Sequence, residues 1–198
     1  MTDFFTADLH LGHDSVARMR GFTRTRDHDE AVLDNLRGAL RLKDRLFILG
    51  DLTQGKAEDE EESLRLIFHA TQAVHGNVHL ITGNHDSVHP FRSTAFKRLP
   101  NFHRAFDTVQ NSATLKIAGE RAIMSHFPYD GDSGASDRYE QHRMRDVRAT
   151  IIHGHTHSTE PVSYSRRGTL QICVSLDAWN MAPVSKETLT ELIKERKK

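Results

Sequence analysis

Only one cysteine, Cys173, occurs in the 198 residues. That excludes an intrachain disulfide framework and any thiolate-built zinc site. Charge of one sign is also missing, because 27 Lys and Arg balance 27 Asp and Glu. No global positive field draws the chain to a polyanion, so strong nucleic-acid binding is not expected. No apolar run approaches the roughly 20 residues of a membrane helix, and no membrane partner is expected. The start of the chain lacks the basic stretch and long apolar segment of a secretory leader, which points to a soluble, cytoplasmic protein. Internal repeats and low-complexity tracts are absent. The length suits a single domain, residues 1–198, with a core that holds without staples.

Histidine is plentiful: there are 14. Five short apolar runs end abruptly in histidine or acidic residues. Phe4-Phe5-Thr6-Ala7 meets Asp8 and His10, Arg45–Leu49 meets Gly50-Asp51, and Val78–Thr82 meets Gly83-Asn84-His85-Asp86. Arg121–Ser125 meets His126, and Ala149–Ile152 meets His153-Gly154-His155-Thr156-His157. Runs of this length rich in β-branched and aromatic residues predict buried strands. Between them, Asp29–Lys43 and Glu58–Val74 carry apolar residues on one helical face. Alternation of strand and helix predicts an α/β fold. Val109–Ala118 and Arg121–Ser125 predict a hairpin around Gly119-Glu120. Leu170–Val174 predicts a further strand, and Lys186–Lys197 a final helix with Ser185 as N-cap. Pro128–Arg148 is polar, carries Gly131 and Gly134, and predicts a long loop of the kind that recognises ligands.

Open α/β sheets place their sites at the carboxyl ends of strands, where all five groups fall. Two residues apart on a strand end, Asp8 and His10 are expected on one face, and so are His155 and His157. The donors are oxygen and imidazole only. Such a set suits Mn2+ first, with Fe, Zn2+, Ni2+ and Co2+ also compatible. The ligands suffice for two divalent metal ions sharing one carboxylate. Ions roughly 3.5–4 Å apart clamp the attacking and leaving oxygens of an in-line displacement. Asp8, Asp51 and a bridging hydroxide leave a residual positive charge that suits a phosphate.

The ordered set D-x-H, G-D, G-N-H-D, H and G-H-x-H resembles the calcineurin-like metallophosphoesterase family, in particular its small stand-alone bacterial and phage members. From Asp8 to His157 it spans about three quarters of the chain, and Val174–Asn180 resembles the tail of those members. The resemblance implies a four-layer α/β/β/α sandwich of two mixed sheets flanked by helices. It implies that Asp8, His10 and His157 hold one metal, that Asn84, His126 and His155 hold the other, and that Asp51 bridges them. His85 would protonate the leaving group, and Asp86 would orient the His85 imidazole. His13, in D-x-H-x-G-H, is expected beside the site or facing substrate.

The remaining candidates are plainer. Arg138 and Arg143 lie in the long loop, where a guanidinium grips phosphate bidentately, although a solvated loop is the simpler reading. His69, His75, His79, His89, His103 and His142 have no partner motif and read as ordinary residues; His153 reads as structural, Trp179 as core, and Cys173 as a small buried residue. The expected activity is metal-dependent phosphoester hydrolysis of a small substrate, by attack of a metal-bridging hydroxide. A phosphodiester of nucleotide or cyclic-nucleotide type is preferred. The alternatives are a phosphomonoesterase or protein phosphatase, and a nuclease acting on single strands.

Overall fold

In the computed structural model, which describes residues 1–74, 77–134 and 136–196, each of the five apolar runs forms a strand. The elements in order are β1 (Asp3–Thr6), α1 (Asp14–Met19), α2 (Thr25–Ala39), β2 (Arg45–Ile48), α3 (Ala57–Ala70), β3 (Val78–Ile81), α4 (Ala95–Phe102), β4 (Thr108–Gln110), β5 (Ser112–Ile117) and β6 (Glu120–Ser125). They continue with β7 (Thr150–His153), β8 (Val162–Tyr164), β9 (Leu170–Cys173), β10 (Val184–Ser185) and α5 (Lys186–Glu195). His75 and Lys197 lie outside the described residues.

The strands build two mixed five-stranded sheets, ordered β10-β1-β2-β3-β4 and β5-β6-β7-β9-β8. Neighbours from β1 to β4 are parallel, as are β6, β7 and β9, while β10, β5 and β8 pair antiparallel at edges. Side-chain alternation explains the packing. Leu46 and Ile48 of β2 face α2 and α3 in one cluster with Leu36 and Ile67. Phe47 and the following Leu49 enter a second cluster with Met124, Ile152 and Ile172 of the other sheet. Burial on both faces is why the runs are continuously apolar. On the outer face of the second sheet, Ile123 and Ile151 meet Tyr129 and Met144 of the 128–148 segment. The chain thus forms two mixed sheets flanked by helices.

Several boundaries differ from expectation. The single strand expected over Val109–Ala118 is two. β4 pairs with β3 in the first sheet, β5 pairs with β6 in the second, and the chain crosses between sheets at Asn111. No Gly or Pro marks that crossing, so composition is silent there. Helix α2 both begins and ends four residues earlier than its apolar pattern suggested, and α3 gives way to a 3-10 turn at Gln72–Val74. α1, α4, β8 and β10 are too short for periodicity to reveal. Ser185 does cap α5, its Oγ accepting from Thr188 N at 3.2 Å. The carboxyl ends of β1 and β9 are joined by a parallel bridge, Ala7 with Ser175, so both sheets deliver their loops to one rim.

Candidate metal centre

β1 stops at Thr6, so Asp8 and His10 lie beyond the strand rather than on its end. Strand alternation is therefore not what aims them, nor what aims His155 and His157. Each of these four adopts the left-handed region instead, with φ of 57° at Asp8, 48° at His10, 69° at His155 and 50° at His157. Asp51 does the same at 55°. Asp and His are among the non-glycine residues most often found there, though the conformation costs about 1–3 kcal/mol where it is not otherwise favoured. Tight backbone approach holds them. A Cβ at Gly154 would lie 2.5 Å from Ala7 Cβ and 2.8 Å from Asp8 Oδ2, and one at Gly83 would overlap the Asp51 amide nitrogen at 2.5 Å. Gly154→Ala is therefore expected to lower stability by about 1–3 kcal/mol through overpacking. It should lower metal content as well, and thermal melts with elemental analysis measure both. Unchanged metal content would remove Gly154 from the scaffold of the centre.

Two groups of donors converge at the rim: Asp8, His10 and His157, and Asp51, His126 and His155. Within each, the potential ligand atoms lie within 4.8 Å of one another. In the first, His10 Nδ1 donates to Thr53 O (3.2 Å), and His157 Nδ1 donates to Asp177 Oδ2 (3.0 Å). With those protons on Nδ1, the two Nε2 atoms face each other 3.2 Å apart. In the second, His126 Nδ1 donates to Leu49 O (2.7 Å), so its Nε2 is the atom that faces Asn84 Oδ1 at 3.1 Å and Asp51 Oδ2 at 3.3 Å, where a proton sits when no cation does. Acceptors facing acceptors in a buried place are stable only around a cation or a proton. Asp8 and Asp51 are almost wholly buried, and among the described residues no Lys or Arg pairs with either. The donor set fits a pair of divalent ions.

The charges respond as expected. Burial pushes Asp51 upward, but His126, His10 and His85 outweigh it and hold the carboxyl well below the usual range. Burial raises Asp8, with His157 and His126 pulling the other way. Burial would lower His126, but Asp51 and Asp8 carry it up to about 9. Burial, then His126, takes His155 down to about 4.

Carboxylates stand behind the imidazoles. Asp177 accepts from His157 and from Ser175 Oγ (2.7 Å), and it is clamped by Arg20 at 3.0 and 2.8 Å. The buried Arg20 also donates to Asp8 O (2.8 Å) and to Leu9 O, so one guanidinium fixes the backbone of one ligand and the partner of another. Asp132 accepts from His155 Nε2 at 2.9 Å, which leaves Nδ1 as the nitrogen available to the second group. Neither carboxylate, nor Arg20, was marked by spacing. Asp177 sits in the Val174–Asn180 stretch, and nothing in the sequence of the polar loop sets Asp132 apart.

Asp86 corrects an expectation. Its carboxylate does not touch the His85 imidazole; it accepts from Gly83 N (2.7 Å), Asp51 N (3.2 Å) and Leu52 N (3.0 Å). Three amides in reach explain the preference, and Asp86 thereby pins the turn that carries Asp51. Burial and the nearby Asp51 raise it to about 7. The His85 ring is oriented instead by Gln54 O, 3.0 Å from Nδ1, and its Nε2 lies 3.9 Å from Asp51 Oδ2. His85 is partly exposed at the mouth. His13 stands edge-on to His10 at 5.3 Å, with burial and the neighbouring His85 and His157 lowering it. Arg138 and Arg143 both pair with Asp132; the Arg138 side chain is still half exposed, as the simpler reading expects, whereas that of Arg143 is buried. His89 and His142, read as ordinary, contact each other edge to face at 5.3 Å beside Phe127.

Comparison with known proteins places residues 1–174, and thus every donor above, within a match to the calcineurin-like phosphoesterase superfamily domain. The chain is similar to the Gene 66 protein of Mycobacterium phage L5, 33% identical over 96% of this chain and 93% of that one. It is also similar to the Gene 66 protein of Mycobacterium phage D29, 32% identical over 89% and 88%. Among solved structures it is similar to the protein of unknown function AQ665 from Aquifex aeolicus. The TM-score is 0.68 at 22% identity, covering 96% of this chain and 98% of that chain, a likeness of fold.

Proposed function

The chain belongs to the calcineurin-like phosphoesterase superfamily, and from that premise we propose that it is a metal-dependent phosphodiesterase for small diesters of nucleotide or cyclic-nucleotide type. In this reading Asp8, His10 and His157 hold one divalent ion, and Asn84, His126 and His155 hold a second. Asp51 is shared, and Mn2+ is the preferred metal. When bound, such a pair polarises the phosphoryl oxygens and lowers the pKa of water so that a nucleophile is available at neutral pH.

The protein's own side chains supply the rest. Asp51 and Asp8 set the charge of the centre. Asp86 keeps the Asp51 turn in place through three amides. His85, with Nδ1 directed to Gln54 O, presents Nε2 at the mouth. In its doubly protonated form it gives that proton to the departing alkoxide, a general-acid step worth about 10²–10⁴ in rate.

The observation that favours a diester is how the cations beside the centre are used. Arg20, Arg138 and Arg143 are each occupied by a carboxylate, Asp177 or Asp132, and Arg92 donates to Asn84 O at 3.2 Å. A dianionic monoester gains from free guanidinium forks, whereas a monoanionic diester needs less positive charge. Comparing a bis-aryl with a mono-aryl phosphate under Mn2+ tests this, and a panel of linear and cyclic nucleotide diesters narrows the class. Faster turnover of the bis-aryl ester is expected. Faster turnover of the mono-aryl ester would move the assignment to a phosphomonoesterase.

A further inference from the structure

The segment from Pro128 to Arg148 reaches into the centre through one side chain. The Asp132 carboxylate is fully buried although it sits in a polar surface loop. One of its oxygens takes the His155 Nε2 proton at 2.9 Å and the Arg143 Nη2 proton at 3.0 Å. The other takes Arg138 Nε at 3.0 Å and Ser133 N at 2.8 Å. Arg143 in turn ties the loop to itself, donating to Pro128 O (3.1 Å), Gly131 O (2.9 Å) and Arg138 O (2.9 Å). Asp130, Asp137 and Asp146 tie other parts of the segment to Arg166, Gln171, Ser165 and Thr169, but only the Asp132 carboxylate, among the described residues, links the segment's arginines to a donor of the centre, and it fixes which nitrogen of His155 is free. On the other side of the centre the same architecture recurs without a loop: Asp177 stands behind His157, clamped by Arg20 from α1's end.

We propose that Asp132 is a positioning residue that couples the order of the 128–148 loop to occupancy of the half-centre containing His155, so that binding of that ion assembles the substrate-recognition loop. The inference rests on the two-ion reading of the site. Linkage carries the coupling: if the ion needs His155 held in one tautomer, and the turn around Asp132 is better ordered while Asp132 holds His155, then each equilibrium favours the other by the same factor. Asp177 supplies a matched comparison, because it backs the other half-centre and carries no loop.

The test uses full-length protein with Mn2+ alone as ligand. Metal stoichiometry comes from equilibrium dialysis, the spin-coupled pair from electron paramagnetic resonance, and order from amide hydrogen exchange across residues 128–148. Wild type is expected to bind two Mn2+ and to show slower loop exchange on loading. D132N is expected to weaken one ion by about 10–100-fold, to lose the coupled signal at limiting Mn2+, and to lose the metal-induced protection of the loop. D177N is expected to weaken one ion by a similar factor while leaving protection of the loop by the remaining ion in place. Should D132N fail to fold, R143Q keeps the carboxylate but removes one clamp, and the same changes are expected at smaller size. Wild-type binding of two ions with loop exchange indifferent to Mn2+ would overturn the coupling alone, and so would unaltered Mn2+ affinity in D132N, or in R143Q where that variant stands in. Wild type that binds no coupled pair would overturn the two-ion reading itself, and the coupling with it.

Discussion

Asp51→Asn is expected to abolish metal-dependent turnover and strip the centre of its ions while leaving the metal-free fold intact. The substitution keeps the shape of the side chain, and an amide oxygen can still accept from His85 N, as Asp51 Oδ1 does at 2.8 Å. What it removes is the charge that both donor groups share in the proposed reading, and it puts an amide NH2 where Oδ2 faces His126, 3.3 Å away. One unit pair at 4 Å is worth about 4 kcal/mol at an effective dielectric of about 20. Each divalent ion should therefore bind on the order of a thousandfold more weakly. The metal-free protein keeps its fold at lower stability, because the substitution relieves desolvation of the buried carboxylate but removes the anion that His126, His10 and His85 face. Elemental analysis after gel filtration and a melt in chelator measure the two halves of the expectation. Full metal content in D51N would contradict the assignment of Asp51 as the shared ligand.

His85→Ala should act on chemistry rather than on the ions. The ring is partly exposed, its Nδ1 is fixed by Gln54 O, and its Nε2 lies 3.9 Å from the nearer Asp51 oxygen. Removing a general acid costs about 10²–10⁴ in rate when the leaving alkoxide is poor, and much less when the leaving group departs as a stable phenolate. Turnover of an alkyl or nucleoside diester should thus fall by about two to four decades, and that of a bis(nitrophenyl) ester by far less, with both ions retained. An equal fall on both substrates would assign His85 to binding the phosphoryl group instead of proton transfer.

Much of this site was legible because donor residues follow apolar runs directly. Gly50-Asp51, Gly83-Asn84-His85-Asp86 and Gly154-His155 announce themselves through glycines that a Cβ could not replace. Left-handed backbone, not strand alternation, aims Asp8 and His10. A sequence pattern with period two cannot reveal a left-handed residue, because that conformation is imposed by the close approach of Gly154 and the parallel strand beside it. The carboxylates behind the imidazoles were silent for another reason. Asp132 and Asp177 act through partners 23 and 20 positions away, and an isolated Asp in a polar segment looks solvated until the fold buries it. The same holds for the crossing at Asn111, where a continuous β-type pattern conceals a change of sheet. His85 and Asp86 are adjacent, which suggested a pair, yet their side chains diverge to Gln54 O and to three backbone amides.

Each donor group takes a histidine from the Gly154–His157 turn, His157 in one and His155 in the other. During synthesis on the ribosome neither group exists in full until that turn has been translated. Asp177, which holds the His157 ring, is added later still. Capture of ions by the proposed centre therefore waits for that turn, and the strands before it form without them as a template.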